Sequence, residues 1–121
     1  MPRPHILICD DETGIRESLR LILDQDYLLT YASHGRDAVE YIRRHDPDLL
    51  IMDIKMPHLN GLDALREIKQ IKPRQRVLII TGYESSDVAA EAIQAGASDY
   101  LTKPFDRQSV KEKVGALLSS W

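Results

Sequence analysis

The chain has 121 residues, a formal net charge of −3 and 43% hydrophobic residues, which indicates one globular domain able to bury its own core. Its single cysteine excludes an internal disulfide framework, and no apolar run approaches the roughly 18 residues of a membrane span. The acidic balance argues against direct contact with nucleic acid. Because no signal peptide is recognisable, we expect a cytoplasmic protein that makes no membrane contact.

Short apolar runs alternate with amphipathic stretches in the first half of the chain. The run at residues 5–9 is followed by three acids at residues 10–12. Apolar residues then recur at i, i+4, i+7 and i+8 within residues 15–23, which predicts a helix. Aromatic and β-branched content predicts a strand at residues 27–32, and the pattern at residues 35–45 predicts a second helix.

The third apolar run and the helix after it follow the same pattern. Residues 49–52 predict a buried strand that ends at Asp53. Asn60 is a suitable N-cap for the next helix. We expect that helix to end near Ile71, because Pro73 follows closely.

Two further pairs of strand and helix complete the chain. Residues 77–80 predict a strand that ends at Thr81, and residues 97–102 predict a shorter fifth strand before Lys103. Asp106 is expected to cap the last helix. The residues expected to face inward from the fourth and fifth helices are Val88, Ala89, Ala92, Ile93, Val110, Val114, Leu117 and Leu118.

Five strands that alternate with five helices predict an α/β fold. The strands are almost continuously apolar, which indicates a parallel sheet covered by helices on both faces. Five strands favour a doubly wound, flavodoxin-like sheet of order 2-1-3-4-5, since a barrel would need about eight units. We therefore expect a single domain over residues 1–121.

Polar residues follow four of the predicted strands, where a doubly wound sheet binds its ligands. They are Asp10 and Asp11, Asp53, Thr81 and Lys103. Three carboxylates at one sheet edge demand a cation, and oxygen ligands without clustered histidine or cysteine favour Mg²⁺. A hydroxyl and an ammonium beside the metal suit a phosphoryl group. The pattern therefore predicts phosphoryl transfer, with a carboxylate available as nucleophile.

Two residues beside these acids have simpler interpretations. Cys9 lies within the first predicted strand, where we expect a buried and inert thiol. Glu12 precedes the first helix, and its negative charge suits the helix dipole. We favour this interpretation over a place for Glu12 beside the metal.

From residue 5 to residue 118, the sequence resembles the receiver domains of bacterial two-component response regulators. The matching residues are Asp10-Asp11, Asp53 with Met56-Pro57 and Gly61, Thr81-Gly82, and Lys103-Pro104-Phe105. Residues 95–106 are most similar to receivers attached to AAA+ σ54-dependent activators. The resemblance implies a phosphorylation-regulated switch, which catalyses only its own phosphorylation and dephosphorylation.

The resemblance gives the residues of the site their roles. It implies that Asp53 takes a phosphoryl group from the phosphohistidine of a sensor histidine kinase. Mg²⁺ would be bound by Asp11, Asp53 and the backbone carbonyl of Lys55, while Asp10 would act mainly through a metal-bound water. Lys103 would contact an oxygen of the phosphoryl group.

The same resemblance implies a switch and a tuned lifetime. Thr81 would hydrogen-bond a second phosphoryl oxygen, and Tyr100 would swing inward when Thr81 moves. This movement would alter the face formed by the fourth helix, the fifth strand and the fifth helix. The Lys103–Pro104 bond would be cis. Lys55 and Tyr83 would tune water access, and we expect slow dephosphorylation because a tyrosine obstructs the attacking water.

We expect phosphorylation to promote a homodimer through that same face. Charged residues of both signs could form a self-complementary contact there: Asp87, Glu91, Asp99, Lys111 and Lys113. The resemblance favours the N-terminal receiver of a transcription activator, with an output domain C-terminal to this chain. A stand-alone regulator is the alternative.

Two other functional classes stay open. A phosphatase or phosphotransferase acting on small substrates would also use an aspartate nucleophile. It is disfavoured because the sequence has no insert large enough for a substrate cap, and Lys55 stands where a second acid would be expected after Asp53. A pseudo-receiver, acting as a constitutive interaction module, is disfavoured because every key residue is present.

Overall fold

In the computed structural model, residues 3–54, 61–82 and 86–119 are described. Five strands alternate with five helices in these ranges. The elements are β1 (His5–Cys9), α1 (Thr13–Leu23), β2 (Leu28–Ala32), α2 (Gly35–Arg44), β3 (Leu49–Asp53), α3 (Gly61–Ile71), β4 (Val77–Thr81), α4 (Ser86–Gln94), β5 (Asp99–Thr102) and α5 (Arg107–Ser119). In these ranges, no helix has the length and apolar character needed to cross a membrane.

The strands form one parallel sheet of order β2-β1-β3-β4-β5, which confirms the predicted topology. β3 and β4 are buried along their whole length, as expected for central strands covered on both faces. The order makes β1 and β3 neighbours. The acids that follow β1 therefore lie beside the carboxyl end of β3.

Successive strand residues point to opposite faces, so the sheet supports two separate cores. α2, α3 and α4 cover one face, where Leu7, Leu50 and Ile79 pack among their side chains. α1 and α5 cover the other face, where Ile8, Ile51 and their neighbours pack. This division explains why the strands are almost continuously apolar.

Two sequence-based predictions differ from the structure at α4 and β5. Ile93 was expected to face inward, but this was wrong: its side chain is 43% exposed. α4 packs through the small residues Ala89 and Ala92, so its buried strip is narrow. β5 starts at Asp99 rather than at residue 97, because the chain first turns through Gly96 at a φ of 112°.

The start of α5 follows the prediction. The Ser109 N–H donates a hydrogen bond of 2.7 Å to Asp106 Oδ1, which is the expected N-cap contact. Val110, Val114 and Leu118 are buried, and Leu117 packs partly buried against the same core. Asn60, the proposed cap of α3, lies outside the described residues.

Candidate functional site

Four carboxylates converge at the carboxyl end of the sheet. Asp10, Asp11 and Glu12 follow β1, and Asp53 ends β3. Each of the four offers an oxygen within 4.8 Å of those of the others. Asp10 and Asp53 are buried, whereas Asp11 and Glu12 are exposed. The structure thus brings together the acids that the sequence placed at neighbouring strand ends.

The turn after β1 is held in place by hydrogen bonds to Asp10. Its backbone N–H donates to the Ala32 carbonyl at 3.1 Å, which continues the pairing with β2. Its side-chain Oδ1 accepts the Glu12 N–H at 2.9 Å, an arrangement typical of an Asx turn. The Arg16 guanidinium donates to the backbone carbonyl of Asp10. The turn is therefore fixed before any ligand binds.

The end of β3 is held by its neighbours in the same way. The Ile54 N–H donates to the Ile80 carbonyl, and the Gly61 N–H donates to the Ile54 carbonyl, both at 3.0 Å. A Cβ on Gly61 would lie 2.5 Å from the backbone of Ile54. Only glycine allows α3 to begin this close to the residue that follows Asp53.

Lys103, which directly follows β5, brings a positive charge to the site. Its Nζ donates to Asp53 Oδ2 at 2.8 Å and to Glu12 Oε1 at 3.3 Å, and it lies 3.5 Å from Asp10 Oδ2. Burial alone would lower the pKa of this ammonium, but its contacts with Asp53 and the other carboxylates raise that pKa above the ordinary value. Lys103 is therefore charged at neutral pH.

The backbone of Lys103 contacts β4 directly, because its N–H donates to the Thr81 carbonyl at 2.8 Å. The Lys103–Pro104 peptide bond is cis, the isomer that the resemblance implies. Together, the strand contact and the side-chain contacts hold Lys103 against Asp53.

The pKa of Asp10 shows that Lys103 does not balance the negative charge of the site. Burial raises the pKa of its carboxyl to about 6, the Asp53 carboxylate adds to this, and the hydrogen bond from the Glu12 N–H partly offsets it. Among the described residues, none forms a hydrogen bond with the buried Asp10 Oδ2. A buried carboxylate oxygen of this kind is suited to a cation.

The donor set of this cluster fits Mg²⁺. In the described part of the chain it consists of carboxylates, and such hard oxygen ligands favour Mg²⁺ over softer transition metals. Asp11 and Glu12 are exposed, which leaves room for water and for oxygens of a phosphoryl group. The cluster thus contains the acids that were expected at the ends of β1 and β3.

Thr81 and Tyr100 differ in their surroundings. Thr81 is buried at the end of β4, one residue after Ile80, which pairs with Asp53. Tyr100 is 39% exposed on β5. The Lys113 ammonium lies 5.5 Å from the centroid of its ring. Tyr100 therefore points outward in this structure.

Two contacts at the site were not predicted from the sequence. Glu12 was assigned to the helix dipole, but its carboxylate contacts Lys103 and belongs to the acidic cluster. Arg16 was not singled out, although its guanidinium holds the Asp10 carbonyl. Its position one turn into α1 was the available signal, because that turn lies beside the acids. Lys55, Tyr83 and Met56-Pro57 lie outside the described residues.

Cys9 is buried beside this cluster, as expected. Its Sγ contacts the His34 carbonyl at 3.3 Å. Burial, together with the nearby Asp10 and other acids, raises the pKa of the thiol to about 12. The thiol is therefore protonated and unreactive at neutral pH.

Comparison with known proteins gives a family match over most of the chain. Residues 6–115 match the response regulator receiver domain family. Chemotaxis protein CheY of Bacillus subtilis is 38% identical over 116 residues, which cover 94% of this chain and 97% of that protein. Response regulator protein PilR of Pseudomonas aeruginosa is 40% identical over 119 residues, which cover 98% of this chain but 27% of that protein.

Solved structures agree with the family match. The beryllofluoride-activated NtrC4 receiver domain dimer, determined in solution, matches with a TM-score of 0.89 and 31% sequence identity. The match covers 95% of this chain and 96% of that chain. The similarity therefore extends over the whole sheet and its helices.

Proposed function

The chain belongs to the response regulator receiver domain family and is a phosphoacceptor signalling domain, and from this premise we propose that Asp53 is the phosphoacceptor. The observation that carries the proposal is the environment of this side chain. Asp53 is buried at the end of β3, beside the other acids, and its Oδ2 accepts a hydrogen bond of 2.8 Å from Lys103. An aspartate in this position combines a nucleophilic oxygen with a fixed positive charge.

The proposed reaction is transfer from the phosphohistidine of a sensor histidine kinase. An Asp53 carboxylate oxygen forms a bond to phosphorus while the bond from phosphorus to the donor imidazole nitrogen breaks. The imidazole leaves as its neutral form after taking a proton from solvent. Lys103 then neutralises part of the charge on the transferred group, because its ammonium already lies against Asp53.

Mg²⁺ is the proposed cofactor of this transfer. Asp11 and Asp53 would hold it, together with the backbone carbonyl of Lys55, and Asp10 would act through a bound water. When bound, the metal supplies positive charge to the phosphoryl oxygens. Two observations support a cation at this point: the pKa of Asp10 is raised to about 6, and its buried Oδ2 has no hydrogen-bond partner among the described residues.

The signal would leave the site through Thr81 and Tyr100. In this proposal the Thr81 hydroxyl binds a phosphoryl oxygen, and the Tyr100 ring turns inward. The support is the path between them: Thr81 ends β4 beside β5, and Tyr100 is exposed on β5. The readout is the α4-β5-α5 face, which is the surface formed by α4, β5 and α5.

The proposed partners are the histidine kinase, a second phosphorylated copy of the chain and an output domain. A dimer is supported by the NtrC4 receiver domain, which is a dimer in its beryllofluoride-activated form. An output domain is supported by PilR, of which this chain covers 27%. A stand-alone regulator is the alternative, and CheY, of which the chain covers 97%, favours it.

The remaining proposals concern loss of the phosphoryl group and the limits of the domain. The chain would catalyse only its own phosphorylation and dephosphorylation. Lys55 and Tyr83 would slow dephosphorylation by limiting the access of water to the phosphoryl group. Residues 1–121 would form one receiver domain.

The test is to incubate the chain with Mg²⁺ and acetyl phosphate and to measure its intact mass. We expect one phosphoryl adduct, which is lost in Asp53→Asn and retained in Asp63→Asn. Asp63 is a matched control because it lies in the first turn of α3 with its side chain 61% exposed. Turnover of many small phosphate substrates would favour the phosphatase, and neither an adduct nor turnover would favour a pseudo-receiver.

A further inference from the structure

Arg16 connects the end of β1 to the start of α1. It lies in the first turns of α1 and donates from Nη1 to the Asp10 carbonyl. Its Nη2 lies 3.2 Å from Thr13 Oγ1. One guanidinium therefore holds both sides of the turn that carries Asp10 and Asp11. Such a double contact requires the planar fork of arginine.

The group that Arg16 holds determines where two carboxylates point. The Asp10 carbonyl belongs to the planar peptide unit that joins Asp10 to Asp11. Rotation of this unit would change the backbone angles of both residues and so move both carboxylates. The hydrogen bond from Arg16 opposes that rotation.

Among the residues that the structure describes, the other contacts of this turn leave this role to Arg16. The Asp10 N–H and Oδ1 are held by Ala32 and Glu12, but neither contact fixes the carbonyl of Asp10. Glu12, the N-cap of α1, makes no side-chain cap hydrogen bond. The turn thus depends on the arginine for the orientation of its central peptide.

We propose that Arg16 is a positioning residue for the magnesium site. It holds the Asp10–Asp11 peptide so that the two carboxylates keep the placement in which Mg²⁺ binds. This inference rests on the proposed function, because it assumes that these acids bind the metal.

If Arg16 acted only through its charge, its removal would change the Mg²⁺ affinity in the opposite direction. Removing a positive charge from beside the carboxylates would make the site more negative and would strengthen Mg²⁺ binding. Removing a positioning contact would weaken it. The sign of the change in Mg²⁺ affinity therefore separates the two roles.

The experiment is calorimetric titration of the unphosphorylated chain with Mg²⁺. We expect Arg16→Ala to weaken binding roughly tenfold, the lower end of the range for residues behind metal ligands. Arg16→Lys keeps the charge but cannot make both contacts, so its binding should stay severalfold weaker than that of the wild type. Arg20→Ala, which removes a charge paired with Glu17 and Asp24 on the same helix, should leave the affinity unchanged.

Thr13→Val provides a second variant without a change of charge. It removes the contact between Thr13 and the guanidinium, and we expect a smaller loss of affinity in the same direction. The double variant with Arg16→Ala should bind no more weakly than Arg16→Ala alone, because both act through one contact.

The possible results separate this inference from the proposed function. Wild-type chain that binds Mg²⁺, with Arg16→Ala binding equally or more tightly, would overturn the role of Arg16 alone. Wild-type chain that binds no Mg²⁺ would overturn the magnesium site and the role of Arg16 with it.

Discussion

Charged side chains are paired differently at the two ends of the sheet. At the carboxyl end, the carboxylates of Asp10, Glu12 and Asp53 share the ammonium of Lys103. At the opposite end, charged and polar groups are matched locally. Asp48 Oδ2 accepts the His5 N–H at 2.7 Å. This difference agrees with the proposed binding role of the carboxyl end.

At this opposite end, called the matched end below, hydrogen bonds and an ion pair hold the loops before β3 and β4. The Gln75 amide donates to the Pro47 and Arg76 carbonyls, both at 3.1 Å. Lys72 pairs with Asp46, and Lys69 donates to the Gln75 carbonyl at 2.8 Å. These contacts satisfy the loops before β3 and β4. The acids at the carboxyl end lie close together without such one-to-one matching, as expected of a site that binds a cation.

The largest expected effect is on Mg²⁺ affinity. Asp11→Asn or Asp53→Asn should weaken binding on the order of tenfold or more, because each removes a proposed ligand and a negative charge. Asp48→Asn, at the matched end, should bind Mg²⁺ like the wild type. Calorimetric titration of the three variants tests the comparison, and normal Mg²⁺ affinity in Asp11→Asn would contradict the assignment.

The acids at the carboxyl end of the sheet should also make the free energy of unfolding depend on pH. The pKa of Asp10 is about 6 in the folded chain, against 3.8 ordinarily, so the folded state holds more protons between these values. Without metal, this carboxyl should therefore lower the free energy of unfolding as pH rises from about 4 to about 6, by on the order of 1–3 kcal/mol.

Asp10→Asn tests this dependence, because it removes the titrating group while keeping its shape. The variant should unfold at a higher temperature than the wild type at pH 7 without Mg²⁺, and the two should approach each other near pH 4. Thermal unfolding across this pH range is the measurement. Equal Tm values for the two chains at pH 7 would mean that the ionised Asp10 carboxyl does not destabilise the folded chain.

At the matched end, a change should affect stability alone. Gln75→Leu removes the amide that donates to the Pro47 carbonyl and should destabilise the chain by about 1–2 kcal/mol. Chemical denaturation measures this loss. Mg²⁺ affinity and the yield of phosphoryl adduct should not change, and a loss of either in the folded variant would show that the two ends are coupled.

The sequence predicts the fold well because the signals are local. Continuous apolar runs mark buried parallel strands, and the strand order brings Asp10 and Asp53 together from distant parts of the chain. The contact of Glu12 with Lys103 joins residues 91 positions apart, and it depends on side-chain conformations that no periodicity encodes. Ile93 was misplaced for a related reason: helical spacing gives an apolar face, but the width that is covered depends on the neighbouring elements.

Side-chain pairing also changes the expectation for the α4-β5-α5 face. Asp99 and Lys113 were expected to form a dimer contact, yet their side chains lie 3.1 Å apart within the chain. Glu91 is 3.6 Å from Arg66. Three of the five charges are thus already paired, as at the matched end of the sheet. The exposed apolar side chains of this face, Ile93 and Tyr100, are then better candidates for contact with a second copy.

The smallest expected effect is on dimerisation, and it tests whether Ile93 contacts the second copy. With beryllofluoride and Mg²⁺, which mimic the phosphoryl group on Asp53, we expect the wild-type chain to sediment as a dimer at high concentration. Ile93→Ser should weaken this association severalfold, since about 1 kcal/mol follows from the apolar surface that it removes. Leu21→Ser is the matched control, because Leu21 is also exposed but lies on α1. Analytical ultracentrifugation of the three chains measures the effect. If Leu21→Ser weakens the dimer and Ile93→Ser does not, the contact lies on α1; if beryllofluoride leaves the wild-type sedimentation unchanged, the dimer itself is contradicted.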